Sequence, residues 1–366
     1  MAKRALRVPA RADIPGQRLV RQGIEGSHAR TVVDLVTGLG AVQAQEYPFA
    51  KWGLGLRLGA DVTDADVTQA FDDGQILRTH VLRPTWHFVA AADIGWMQQL
   101  TAPRVHMPLK SQARSLGLEP RILTRATSLV ERALVGHRHL TRAELAAELA
   151  RAGLSLTPHH VGLVAMYAEL ERVICSGPRR GKQFTYALLS ERAPRLRRLS
   201  GDEALAELTR RFFTSHGPAT VRDCVWWSGL KTADVRRGLS IINAGGFEQN
   251  GLTYWFDGDV GPARPRQPSV HLLPIYDEYL VAYRDRVAVP HGPGSVVAGS
   301  KTVPFRHAVV IDGQVAGTWH LVAGRSTSAV RVTPMRRLRP VERSGLHTAA
   351  LRYARFLATP VTLVID

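Results

Sequence analysis

Only two cysteines, Cys175 and Cys224, occur in 366 residues, far apart and in apolar surroundings. They give neither a disulfide framework nor the paired spacing of a zinc site. His159 and His160 are adjacent rather than spaced to share a metal face, so no metal is expected. No run of about 18 apolar residues is present to span a bilayer. The N-terminal stretch MAKRALRVPARADIPG is basic without a continuous apolar core, which argues against a secretory signal. A cytoplasmic, nucleoid-associated protein with no membrane partner is the expectation. Lysine is scarce as well: six of the 48 basic residues are Lys, and no motif announces a Schiff-base lysine.

What is abundant is arginine. The formal net charge is +17 and the pI about 10.7. A G- and C-rich genome explains Arg in place of Lys, but not the surplus over Asp and Glu. The planar guanidinium fork suits phosphate and base edges, so a polyanion is the expected partner. The length suggests two or three domains with ample apolar content for real cores.

The stretch LGAVQAQEYPFAKWGLGLR (39–57) places two carboxamides, Gln43 and Gln45, either side of Ala44. On a regular helix they would point about 200° apart, whereas an extended or turning segment lets them share a face. Gly38, Gly40 and Pro48 disfavour a straight helix here. Two readings fit: amides that are solvated or capping at a helix end, or amides facing one cleft. Either way, a Gln pair offers hydrogen bonds but no strong base. Glu46, the next residue, can either help electrostatically or point away into solvent.

Along the chain a unit recurs three times. In the first, helical patterns in RLVRQGI and ARTVVDLVTGLGAVQ and a helix capped by Thr63 lead to two β-rich runs, ILRTHV and TWHFVA, joined around Leu82-Arg83-Pro84. In the second, a helix opened by Thr141 with Glu144 at the capping-box position turns through Gly153. A helix capped by Thr157 with Pro158 at its first position follows. Behind it stands a hairpin whose basic tip carries Arg179, Arg180 and Lys182. In the third, helical DEALAELTRRFFTSHG precedes GPATVRDCVWWSGL, KTADVRRGLSIINAGG and a hairpin turning at Asn250-Gly251. Helix, turn, helix and hairpin is the winged-helix pattern. The fold class expected is α+β: three tandem winged helix-turn-helix units forming a concave basic cleft, with a mixed β-rich C-terminal domain. The boundaries are 1–118, 119–200, 201–260 and 261–366.

The C-terminal part starts with Pro- and Arg-rich GPARPRQPS and contains Gly/Pro-rich HGPGSVVAGS. A hairpin is expected through Asp312-Gly313, a basic strand in VRVTPMRRLRP, a helix over 344–357 and a final strand. Asp277, Glu278, Arg284 and Asp285 read as an internal ion-pair network, and Tyr276, Tyr279 and Tyr283 as packing. Trp226 and Trp227 read as core and scaffold.

The succession GAVQAQEYPFAKWGLGLR, LRTHVLRPTWHFVAAADIGWM and HLLPIYDEYLVAYRDR resembles the winged-helix family that includes the AlkZ/YcaQ-type DNA glycosylases. The resemblance runs from about Gly16 to the C-terminus. It implies a monofunctional DNA glycosylase that removes bulky alkylated purines, cross-linked ones included, from double-stranded DNA, without a cofactor. Gln43-Ala44-Gln45 matches the Gln-x-Gln form of the family's catalytic signature. Around it, Arg78 and His80, which alternation puts on one strand face, and Arg83 are expected to line the DNA cleft, with Arg179, Arg180 and Lys182 on phosphate. His87 reads as a partly buried histidine. Three DNA-facing units in one chain suit a monomer. A non-catalytic winged-helix DNA-binding protein or regulator is the other function these residues allow.

Overall fold

The computed structural model describes residues 12–26, 29–258, 268–284, 306–324 and 327–366. Asp285 and most of the GPARPRQPS and all of the HGPGSVVAGS stretches lie outside these residues. The chain is mixed α+β. Helices α1 (Ile14–Arg21) and α2 (Val32–Leu39) lead to a two-residue strand β1 (Val42–Gln43). Helices α3 (Tyr47–Gly55) and α4 (Asp64–Asp72) follow, then a hairpin of β2 (Ile76–Val81) and β3 (Arg83–Ala90). Thr63 and Asp66 cap α4 reciprocally, as their spacing predicts. The sheet order is β1-β3-β2, and Leu82 (φ 62°) makes the tight link between β2 and β3.

A long helix α5 (Ile94–Ser115) and α6 (Pro120–Leu134) precede the next hairpin unit. That unit comprises β4 (Leu140–Thr141), α7 (Arg142–Arg151), α8 (Pro158–Leu170), β5 (Ile174–Ser176) and β6 (Thr185–Leu188). Its sheet order is β4-β6-β5. Thr141 with Glu144 caps α7, and Thr157 caps α8 with Pro158 in the first turn. After a one-turn helix α9 (Leu189–Arg192), the succession repeats with α10 (Gly201–Ser215), α11 (Val221–Ser228), α12 (Thr232–Ile241), β7 (Gly245–Gln249) and β8 (Leu252–Phe256). Asn250 and Gly251 both have positive φ, the requirement of a two-residue hairpin turn.

The C-terminal sheet has the order β13-β12-β11-β10-β9. Its strands are β9 (Val270–Leu273), β10 (Ala308–Ile311), β11 (Gln314–Val322), β12 (Ser328–Pro334) and β13 (Val361–Ile365). Between β9 and β10 lies a one-turn helix α13 (Glu278–Val281), with Tyr276 in the preceding turn at φ 61°. The tyrosines therefore do not share one helix, although Tyr279 and Tyr283 are buried in packing. Helix α14 (Pro340–Leu357) starts four residues before Ser344, because Pro340 suits the first turn and Glu342 accepts the Arg339 N–H. It crosses from β12 to β13, which pair in parallel.

One apolar cluster joins the first unit to this sheet, with Leu35, Trp52 and Phe71 packed in the same core as Leu272, Trp319 and Tyr353. Gly55 allows the contact: a Cβ there would lie 2.4 Å from the Phe356 ring. A second cluster joins β2, β3 and the start of α5 to α10, α11, α12 and Tyr283. Strand β1 therefore lies where the first unit, α11 and the turn at 277–278 converge.

Candidate active site

Gly40, at φ 84°, ends α2 and turns the chain into β1. Val42 pairs with Phe88 and Gln43 with His87, so Gln43 lies on a strand. The Ala44 N–H then donates to the Trp86 carbonyl at 2.7 Å, and Pro48 opens α3 shortly after. The two Gln residues thus sit on a short irregular connection between helices. Gln43 is 7% exposed and Gln45 half-buried, whereas Glu46 points outward.

The carboxamides have defined orientations. Arg83 Nη2 donates to Gln43 Oε1 at 3.1 Å, and the Trp86 N–H points at Gln45 Oε1 at 3.4 Å. Both partners only donate, so each amide must turn its oxygen toward them. Each oxygen keeps a second lone pair. Behind Gln43, its own N–H donates to Glu278 Oε1 at 2.7 Å. Trp227 Nε1 donates to Glu278 Oε2 at 3.0 Å, and His216 Nε2 stands 3.5 Å from that oxygen.

Burial by itself raises the Glu278 pKa, but the His216 ring, the Arg83 charge and the Gln43 N–H outweigh it and hold the carboxyl at about 2. Burial lowers the Arg83 pKa, opposed by Glu278. His87, opposite Gln43, is pushed down to about 3 by burial and then by the Arg83 charge. Its Nδ1–H donates to the Thr85 carbonyl at 2.9 Å, so its neutral form is the one housed.

The other expected residues divide into two groups. Arg78 and His80 share a face against Trp86, as alternation predicts, but each is only 7% exposed. Arg78 Nε donates to the Ala44 carbonyl at 2.9 Å. The His80 ring is bonded to the Glu169 carboxylate on α8. Arg78 Nε and the His80 ring are thus engaged within the fold. The basic tip is outward. Arg180 and Gln183 exchange backbone hydrogen bonds around Gly181-Lys182, and Arg180 and Lys182 are exposed. Arg180 Nη1 bonds Glu144 at 2.7 Å, while Arg179 lies half-buried over Tyr47 and Phe184.

Of the two tryptophans, Trp227 is core, but Trp226 is 39% exposed. The Trp226 indole N–H is tied to the Val281 carbonyl, and its ring lies 5.9 Å from the Arg83 guanidinium. The contribution of Glu278 behind Gln43 is not visible from local spacing; Asp277 is ion-paired, but with buried Arg57 rather than within the 277–285 stretch as expected. Lys51, the lysine nearest in sequence to the pair, is bound by Asp64 and Thr68 at 2.6 and 2.7 Å. Among the described residues no cluster of three or more His, Cys, Asp or Glu can hold a metal, and no helix is long and apolar enough to cross a membrane. A cavity of about 610 Å³ lies elsewhere, lined by Arg222, Arg236 and Trp255.

Comparison with known proteins places these features in a family. The interstrand DNA cross-link repair glycosylase of Streptomyces sahachiroi is 26% identical over 323 residues, covering 83% of this chain and 86% of that protein. The solved structure of Streptomyces sahachiroi DNA glycosylase AlkZ matches with a TM-score of 0.78 at 22% identity, over 97% of this chain and 98% of that one. That likeness speaks to the fold. A family model described as DNA glycosylase AlkZ-like matches residues 36–356, a span that includes Gln43, Gln45, Arg83 and Glu278. The chain belongs to the AlkZ-like DNA glycosylase family, enzymes that hydrolyse N-glycosyl bonds.

Proposed function

We propose that this protein is a monofunctional glycosylase acting on bulky purines alkylated at N7 or N3, cross-linked ones included, in double-stranded DNA. The observation that carries the proposal is the Gln43–Gln45 pair, two carboxamides with oriented oxygens and no carboxylate side chain of their own. Cleaving an N-glycosidic bond passes through an oxocarbenium-like sugar, a step usually served by carboxylates. Alkylation at N7 or N3 already makes the base cationic, so it leaves without an acid. What remains to be supplied is a positioned water and dipoles facing the developing sugar cation. The free lone pairs of Gln43 and Gln45 suit both tasks.

The name of the Streptomyces sahachiroi relative, a cross-link repair glycosylase, supports a bulky substrate for this chain. A cross-linked base cannot be flipped into a closed pocket as small bases are. An open surface built mainly on phosphate contacts suits it better. In this proposal the three helix–helix–hairpin units are tandem winged helices. Their curved basic face takes duplex DNA as a monomer, with Arg180 and Lys182 on the backbone. Arg78 and His80 serve by shaping the segment that carries the Gln pair.

The test incubates a duplex bearing one N7-alkylguanine with the protein and measures freed base. Release by wild type, with loss in Gln43→Ala and Gln45→Ala at retained DNA binding, is the expected result. Equal release by wild type and the double variant would reject the site. Salt-dependent binding with no release across a panel of adducts would leave a DNA-binding role alone.

A further inference from the structure

We propose that Glu278 is a positioning residue for the Gln pair: its buried carboxylate fixes the Gln43 backbone and neutralises the Arg83 guanidinium that orients the Gln43 amide. The proposal rests on the glycosylase reading and adds to it a charged group that does not touch the substrate.

Glu278 is 1% exposed, and its two oxygens meet different elements: the Gln43 N–H of β1 and the Trp227 indole of α11. A buried charge is retained only when it is well bonded, and this one is. Low pKa and burial together mean that a full negative charge stands behind Gln43 at neutral pH. On the other side of the same residue, Arg83 places a positive charge on Oε1. That arrangement orients the amide, but a lone guanidinium beside a sugar turning cationic would oppose the reaction. Glu278 answers this: it bonds the N–H of the same Gln43 whose amide oxygen takes the Arg83 hydrogen bond, so opposite charges flank one residue. The carboxylate cancels the field of the guanidinium where the cation forms, while the hydrogen bond from Arg83 remains. In a poorly solvated site such charge balance counts for more than in water.

The experiment measures single-turnover base release and the Kd for the same N7-alkylguanine duplex. Glu278→Gln keeps the shape and removes the charge. Its release rate is expected to fall roughly 10–100-fold while Kd stays within about twofold. The conservative Glu278→Asp restores the charge one methylene further back and is expected to lie between Gln and wild type. Trp227→Phe removes a donor to the same carboxylate without removing its charge, and is expected to lose less rate than Glu278→Gln. A purely structural role would instead make the loss of rate follow the loss of thermal stability across all three variants. A Glu278→Gln rate equal to that of an active wild type overturns the proposal. If Glu278→Gln does not fold, Glu278→Asp decides: a rate equal to wild type overturns the proposal. Absence of release by wild type would instead reject the glycosylase reading on which the proposal rests.

Discussion

Arg78 Nε donates to the carbonyl oxygen of Ala44, the residue between the two glutamines, at 2.9 Å. The guanidinium lies 4.2 Å from the Trp86 ring centroid and 4.4 Å from that of Phe184. Burial lowers its pKa to about 10, which leaves it charged at neutral pH. Arg78 therefore controls the segment through its middle peptide. Arg78→Ala is expected to cost roughly 2–4 kcal/mol of stability, because a buried acceptor loses its donor and two rings lose a cation. Base release per bound duplex should fall about tenfold, with the salt dependence of binding unchanged. A salt slope reduced by about one unit would instead identify Arg78 as a phosphate contact. Titrating binding at several salt concentrations separates the two outcomes.

Lys182 is the contrasting case, exposed at the tip of the turn that Arg180 and Gln183 close. In the proposed complex a point charge in that place would meet phosphate rather than base edges. Lys182→Ala is expected to weaken binding uniformly across duplex sequences and to reduce the slope of log K against log salt by about 0.9. Base release from DNA already bound should stay at the wild-type rate. Arg180→Ala is expected to change the slope less, because Arg180 is also paired with Glu144. Equal slopes for Lys182→Ala and wild type would remove this hairpin from the DNA path.

Much of this arrangement is local chemistry, and that part was legible in the sequence. Gly40 and Pro48 forbid one continuous helix, which is why Gln43 and Gln45 fall on an irregular stretch. Asn250-Gly251 and Asp312-Gly313 tolerate positive φ, so both hairpins could be placed to the residue. What escaped was depth and distance. Alternation put Arg78 and His80 on one face of β2, but every residue of that strand is buried, which a period of two cannot reveal. Helix α5 is obscured by Pro103 and Pro108 within it, and by an apolar side that leaves one core for another along its length. Glu278 reaches Gln43 across 235 residues, a proximity set by packing of the 277–278 turn rather than by any spacing.

The histidines predict acid sensitivity. Burial pushes His87 down to about 3 and His307 to about 4, against about 6.5 in an unfolded chain. As pH falls below about 6.5 the unfolded state takes up protons that the folded state refuses, so stability is lost. Each histidine contributes up to about 1.4 kcal/mol per pH unit until pH passes its folded value. Their contribution is fully present above about pH 6.5. Urea unfolding should therefore give nearly constant stability between pH 8 and 7 and a decline below pH 6. His87→Phe should make that decline shallower by about one proton. Identical slopes for the variant and wild type would show that His87 titrates freely in the folded protein.

The Arg57–Asp277 pair sets where Glu278 can stand. Arg57 follows α3 and donates through Nη1 and Nη2 to both Asp277 oxygens, at 2.8 and 2.7 Å, with both side chains 1% exposed. Arg57 also donates to the Gly53 carbonyl and the Gln22 amide, and Gln22 bonds the Tyr283 hydroxyl. Removing one member strands a charge: Asp277→Asn and Arg57→Met should each cost about 3–5 kcal/mol. The double variant Arg57→Met/Asp277→Leu should recover much of that, since an apolar pair of similar volume avoids the desolvation of two ions. Base release should nevertheless stay low in the double variant, because the turn that presents Glu278 to the Gln43 N–H loses its forked anchor. Stability and single-turnover rate measured on the same four proteins would separate the two effects. Recovery of both together would mean that the ion pair holds the fold without placing Glu278.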